Sequence, residues 1–150
     1  MSATLTRAVA GRAGHLCEYC RTRDEFSASS FCVEHILPRA TGGPTKLENL
    51  AFACGGCNGH KSDKTMASDP ATGDVVPFFN PRFELWETHF AWSDDTLLVV
   101  GLTPVGRATV EALRLNRTSL VNLRRILRAA GEHPPKMPRK QNRPPGAIRG

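Results

Sequence analysis

Two pairs, Cys17-x-x-Cys20 and Cys54-x-x-Cys57, restrict the folds open to this chain more than any other feature. Four thiolates in two such pairs match the tetrahedral coordination of a structural zinc ion, which closes a small domain with too little core to fold alone. Thirty-three residues separate the pairs. That is more than a minimal zinc ribbon needs, so a hairpin is expected between the two knuckles. Cys32, the fifth cysteine, meets a site already filled by four ligands and reads as a small strand residue.

The cysteines do not read as a disulfide framework. The opening MSATLTRAVAGRAG has no apolar core of signal-peptide length, and no apolar run approaches the ~18 residues of a membrane span. The expectation is a cytoplasmic protein without membrane contact, whose reduced thiols are available to metal. The net charge of +6 is unevenly placed: +2 over residues 1–65, −5 over 66–102, +5 over 103–130 and +4 over 131–150. Basic helices and a basic end favour a polyanionic partner, with nucleic acid first.

Local patterning divides the chain at about residue 65. Residues 4–13 suit a short helix stopped by Gly11 and Gly14. Residues 31–37 read as a strand ended by Pro38, and residues 50–53 as a second strand after a turn carrying Gly42, Gly43 and Pro44. A short helix is expected from Cys57 or Asn58 to about Lys64, making residues 1–65 a β–β–α unit with a zinc knuckle at its base. Residues 66–80 read as a linker or an irregular strand. Residues 81–130 read as a small α/β accessory layer: a helix over 82–90, a strand over 96–100, a helix begun by Thr103-Pro104, and a last helix with Arg117, Arg124, Arg125 and Arg128 mostly outward. Residues 131–150 hold five prolines with Lys136, Arg139, Lys140, Arg143 and Arg149, and are expected to form a basic disordered tail.

The segment between the knuckles concentrates chemistry. Glu34, His35, Asn49, Asn58 and Lys61 supply a carboxylate, an imidazole, two amides and an ammonium group. Such groups can hold a hard cation, take a proton from water and grip a phosphate. His35, with an ordinary pKa of ~6.5, suits proton transfer at neutral pH. Asn58 and Lys61 lie three apart at a helix start, where phosphate is favoured. Successive strand residues face opposite ways, so Glu34 and His35 share a site only where the strand twists or ends.

The run Glu34-His35-Ile36-x-Pro38, Gly42-Gly43, Asn49-Leu50 and Cys54-x-x-Cys57-Asn58-x-x-Lys61 resembles the HNH endonucleases, whose active site is a ββα-metal finger. The resemblance covers about residues 15–65 and implies an α+β fold, a treble-clef-like zinc finger carrying the accessory layer. It further implies a phosphodiesterase acting on DNA by a single-metal mechanism. His35 would be the general base, Glu34 and Asn58 the ligands of a catalytic divalent cation (Mg²⁺ or Mn²⁺), Asn49 the residue that pins the loop beside His35, and Lys61 a phosphate contact. Arg39 and His60 are further candidates for backbone phosphates. Two positions depart from the commoner pattern, with Glu34 where aspartate is usual and Asn58 where histidine is usual. The alternative is a non-catalytic zinc module that binds nucleic acid or protein. A zinc deaminase is excluded, because that chemistry needs His-x-Glu with the histidine on zinc, and here Glu34 precedes His35.

Overall fold

The computed structural model describes residues 1–138, an α+β arrangement of five α-helices and three two-stranded antiparallel sheets. Helix α1 (Ala3–Arg12) starts at Ser2, whose hydroxyl accepts from the Leu5 amide. This cap satisfies one of the free N–H groups of the first turn. The helix buries Val9 and Ala10 against Leu50 and Phe52.

Those two residues belong to β2 (Leu50–Ala53), which pairs with β1 (Cys32–His35) in the register Glu34 to Ala51 and His35 to Leu50. Helix α2 (Gly55–Lys61) follows directly, its first turn formed around Cys54. The ββα unit is therefore present, but β1 is shorter than expected and α2 begins and ends earlier.

Residues 66–80 are more regular than a linker. Strands β3 (Met66–Ser68) and β4 (Val75–Pro77) form a hairpin around Asp69, whose carboxylate accepts from the Ala71 amide and the Thr72 hydroxyl. An Asx-type turn of this kind closes a hairpin without apolar patterning, which is why the sequence looked irregular. Beyond it lie α3 (Trp86–His89), β5 (Phe90–Trp92), β6 (Val99–Gly101), α4 (Pro104–Ala112) and α5 (Thr118–Ala129). Helix α3 is one turn rather than the helix expected over 82–90. Thr103 caps α4 by accepting from the Gly106 amide, with Pro104 in the first turn.

One core crosses the boundary drawn from the sequence. Cys17, Tyr19, Cys20, Ala53 and Cys57 pack in the same cluster as Phe79, Trp86, Phe90, Leu113, Leu115 and Leu120. The Trp86 indole N–H donates to the Tyr19 carbonyl at 3.0 Å. Glu18, fully buried, receives the Arg82 guanidinium and the Phe52 amide. The accessory layer is thus the outer wall of the finger. Arg124 corrects the expectation of outward arginines: it is 3 % exposed and donates to Leu97 O, Leu115 O and Asn116 Oδ1. These carbonyls close the ends of β6 and α4, and a guanidinium with five donors can serve all three.

The beginning of the expected tail is packed as well. His133 stands edge-on to Trp92 with ring centroids 4.6 Å apart, and Met137 lies against the core. Arg139, Lys140, Arg143 and Arg149 lie outside the described residues.

Candidate active site and metal centre

The four cysteines converge. The Sγ atoms of Cys17, Cys20, Cys54 and Cys57 all lie within 4.8 Å of one another, and all four residues are buried. Tetrahedral Zn–S bonds of ~2.3 Å place sulfurs ~3.8 Å apart, and Cys20 and Cys54 are separated by 3.7 Å. Each knuckle turns its own backbone toward sulfur: Cys20 N–H donates to Cys17 Sγ at 3.5 Å and Cys57 N–H to Cys54 Sγ at 3.4 Å. Burial pushes the Cys17 thiol up, while hydrogen bonds from Cys17, Cys20 and Cys57 pull Cys54 down. The donor chemistry and spacing fit a structural metal ion such as zinc.

Strand β1 ends at His35, and its last two side chains diverge. Glu34 turns inward and His35 outward, as strand alternation requires. Both nonetheless line one open cleft of about 260 Å³ together with Arg39, Asn58, Ser62 and Asp63. Glu34 forms its buried back wall, where Tyr19 Oη donates to Oε1 and Lys61 Nζ lies 3.1 Å from Oε2. Burial raises the Glu34 pKa above the usual glutamate range, opposed by the charge of Lys61 and the Tyr19 hydrogen bond.

Lys61 corrects the sequence expectation. Its side chain is 2 % exposed and contributes to the floor beneath β1, with Nζ 3.2 Å from the Ile36 carbonyl and 3.5 Å from the His35 carbonyl. A helix position three residues after Asn58 shares a face with it, but that face is turned to the protein at Lys61. The ammonium pairs with Glu34 and sits beneath the His35 and Ile36 carbonyls, away from the open side of the cleft.

His35 reaches the open side of the cleft, and its Nε2 lies 2.8 Å from Thr45 Oγ1. Desolvation, followed by the charge of Arg39, lowers its pKa below the ordinary histidine value. Thr45 was not singled out in the sequence, where it is one polar residue in a glycine-proline turn. Asn49, 8 % exposed, closes that turn: Nδ2 donates to Leu37 O at 3.0 Å and Pro44 O at 2.9 Å, and Oδ1 accepts from Leu37 N at 2.9 Å. Gly43 tightens it further, since a Cβ there would sit 1.8 Å from the Leu37 carbonyl oxygen.

The remaining candidates separate. Arg39 is exposed and lines the cleft. His60 does not line it; burial and then the charges of Arg117 and Arg114 lower its pKa. Asp63, which the sequence reading passed over, adds a second carboxylate to the cleft. Among the described residues, the cysteines form the only close group of three or more histidine, cysteine or acidic side chains. No helix among them is long and apolar enough to cross a membrane.

The family model described as HNH endonuclease matches residues 17–64, the span from the first knuckle through α2. No curated protein and no solved structure matches the chain.

Proposed function

We propose that this HNH finger hydrolyses phosphodiester bonds in DNA, with His35 as the general base and the four cysteines holding a structural zinc. The observation that carries the reading is the single cleft in which a fixed, outward imidazole meets the oxygen donors of Glu34, Asn58 and Asp63. In the tautomer whose Nε2–H donates to Thr45 Oγ1, the Nδ1 lone pair is the one that takes a proton from water. A lowered pKa keeps that lone pair available at neutral pH.

The carboxylate of Glu34 has about four lone-pair sites, of which Tyr19 and Lys61 engage two. Glu34 and the Asn58 amide can therefore still offer oxygen to a hard cation, a donor set suited to Mg²⁺ or Mn²⁺. Such an ion, when bound, supplies Lewis-acid stabilisation of the charge that develops on the phosphate and its leaving oxygen. Lys61 pairs with Glu34 and holds it in place, Asn49 fixes the loop that carries Thr45, and Arg39 at the rim is suited to a neighbouring phosphate.

One observation favours the alternative, a module that binds without cutting: Glu34 already has a counter-ion in Lys61. Supercoiled plasmid incubated with the full chain in Mg²⁺, Mn²⁺ or EDTA separates the two. Metal-dependent nicking that disappears in His35→Ala is expected. Retarded but uncut plasmid under every metal would establish the binding module instead.

A further inference from the structure

The accessory layer reaches into the metal centre through one side chain. Arg117, the residue before α5, donates from Nη2 to Cys54 Sγ at 3.4 Å and from its two Nη atoms to Cys57 Sγ at 3.7 and 3.8 Å. Its Nη1 also donates to Leu113 O at 3.2 Å and Arg114 O at 3.1 Å. The guanidinium is thus fixed from behind by carbonyls at the end of α4, the negative end of that helix.

The second knuckle is shaped around it. A Cβ on Gly56 would lie 2.4 Å from Nη2 and 2.8 Å from Cζ of Arg117. Position 56 therefore has no room for a side chain while the guanidinium is seated. The thiol it covers is also the most open of the four: Cys54 is 8 % exposed, against 0–1 % for Cys17, Cys20 and Cys57.

Four thiolates around one Zn²⁺ carry a net charge of −2. A guanidinium in contact with two of the sulfurs halves that charge locally, and its N–H groups draw electron density from them. Both effects make a coordinated thiolate a poorer base and nucleophile, so it is slower to be protonated, alkylated or exchanged.

We propose that Arg117 is a working part of the metal centre: a clamp over Cys54 and Cys57 that determines how slowly the ion leaves and how unreactive those two thiolates are. The proposal rests on the four cysteines holding zinc, and it is independent of nuclease activity. Arginine suits the role better than lysine, because its planar fork reaches both sulfurs and the α4 carbonyls together.

The test uses the zinc-loaded full chain as wild type, R117A, R117K, G56A and the G56A/R117A double variant. Zinc release to a chromophoric chelator and iodoacetamide labelling mapped by peptide mass are followed in each. R117A is expected to release zinc about 10-fold faster or more, in line with the loss of other supports behind metal ligands. Labelling should appear first at Cys54 and Cys57, and R117K should fall between. G56A, which displaces the guanidinium without removing it, should also speed release and add nothing in the R117A background. Wild-type release and labelling in both R117A and G56A would overturn the clamp. Should R117A fail to fold, G56A decides alone, with unchanged release overturning the proposal. Wild-type protein isolated without zinc would remove the premise itself, a different outcome from zinc that is present and indifferent to Arg117.

Discussion

Lys61 Nζ sits 3.1 Å from Glu34 Oε2 with both side chains buried, while the same ammonium lies within reach of the His35 and Ile36 carbonyls. One cation therefore sets both the charge of a candidate metal ligand and the backbone that carries the candidate base. Removing one partner of a buried pair strands the other, which typically costs ~3–5 kcal/mol. Lys61→Met should lower stability by that order in urea unfolding. It should also move the Glu34 pKa further up, because burial already raises it and the charge of Lys61 is the largest opposing influence.

His35→Ala should reduce cleavage by ~10²-fold or more with DNA affinity nearly unchanged, since a base acts in the transition state. The wild-type pH profile adds a second check. Protonated His35 cannot accept a proton, so kcat/KM should rise with pH and level off. The midpoint should fall below the ordinary ~6.5, because burial and Arg39 both lower this pKa. A midpoint above that value would contradict the assignment.

Asn49→Ala removes three hydrogen bonds from the turn behind His35, those to the Leu37 N–H and to the Leu37 and Pro44 carbonyls. Each such hydrogen bond typically contributes ~0.5–1.5 kcal/mol net. The variant should remain folded but lose stability, and kcat should fall more than KM changes, because the loop bearing Thr45 no longer orients the imidazole.

Cys54→Ser should unfold the finger and abolish zinc retention, since a structural zinc contributes on the order of 10 kcal/mol to such modules. Trp86, 4 % exposed and packed against the knuckle, makes the loss visible as a red shift in fluorescence.

The Asp69–Arg107 pair gives the fold a predictable response to acid. Arg107 donates to both carboxylate oxygens of Asp69, at 3.0 and 2.8 Å, and lowers its pKa well below the usual aspartate range. A depressed carboxylate contributes stability above its unfolded value of ~3.9, and that contribution is lost as pH falls through the folded value. Asp69→Asn should therefore be destabilising at pH 7 and show a shallower loss of stability on acidification below ~4. Parallel pH profiles for the two proteins would show that the pair is not what the acid acts on.

The parts of this molecule that were legible in the sequence have local causes. The knuckles follow from cysteine spacing, β2 from a short apolar run, and the start of α4 from Thr103-Pro104. Asn49 and His35 could be singled out by their place in the run that resembles the HNH endonucleases, and the partners of both, Leu37, Pro44 and Thr45, lie close by in the chain. What could not be read depends on partners far along it. Glu18 meets Arg82, Tyr19 meets Trp86, and the thiolates meet Arg117 across sixty or more residues. Lys61 illustrates the same limit: helical spacing put it beside Asn58, but only the tertiary packing shows that Glu34 is close enough to capture it. Buried arginines are the hardest case, because Arg82, Arg117 and Arg124 carry the residue type expected on a solvated face.

The clamp over the knuckles has a consequence during synthesis. Arg117 follows Cys57 by sixty residues, so at translation rates of ~5–20 residues per second it emerges ~3–12 s after the last thiol. For that interval the ribosome presents a complete set of four ligands without Arg117 over them, and for about the first half of it without Trp86 either. A metal captured in that window meets the thiolates before Arg117 covers them. The order of residues along the chain thus separates loading from locking: an open nascent centre can still exchange a wrong ion, and a finished one keeps what it holds.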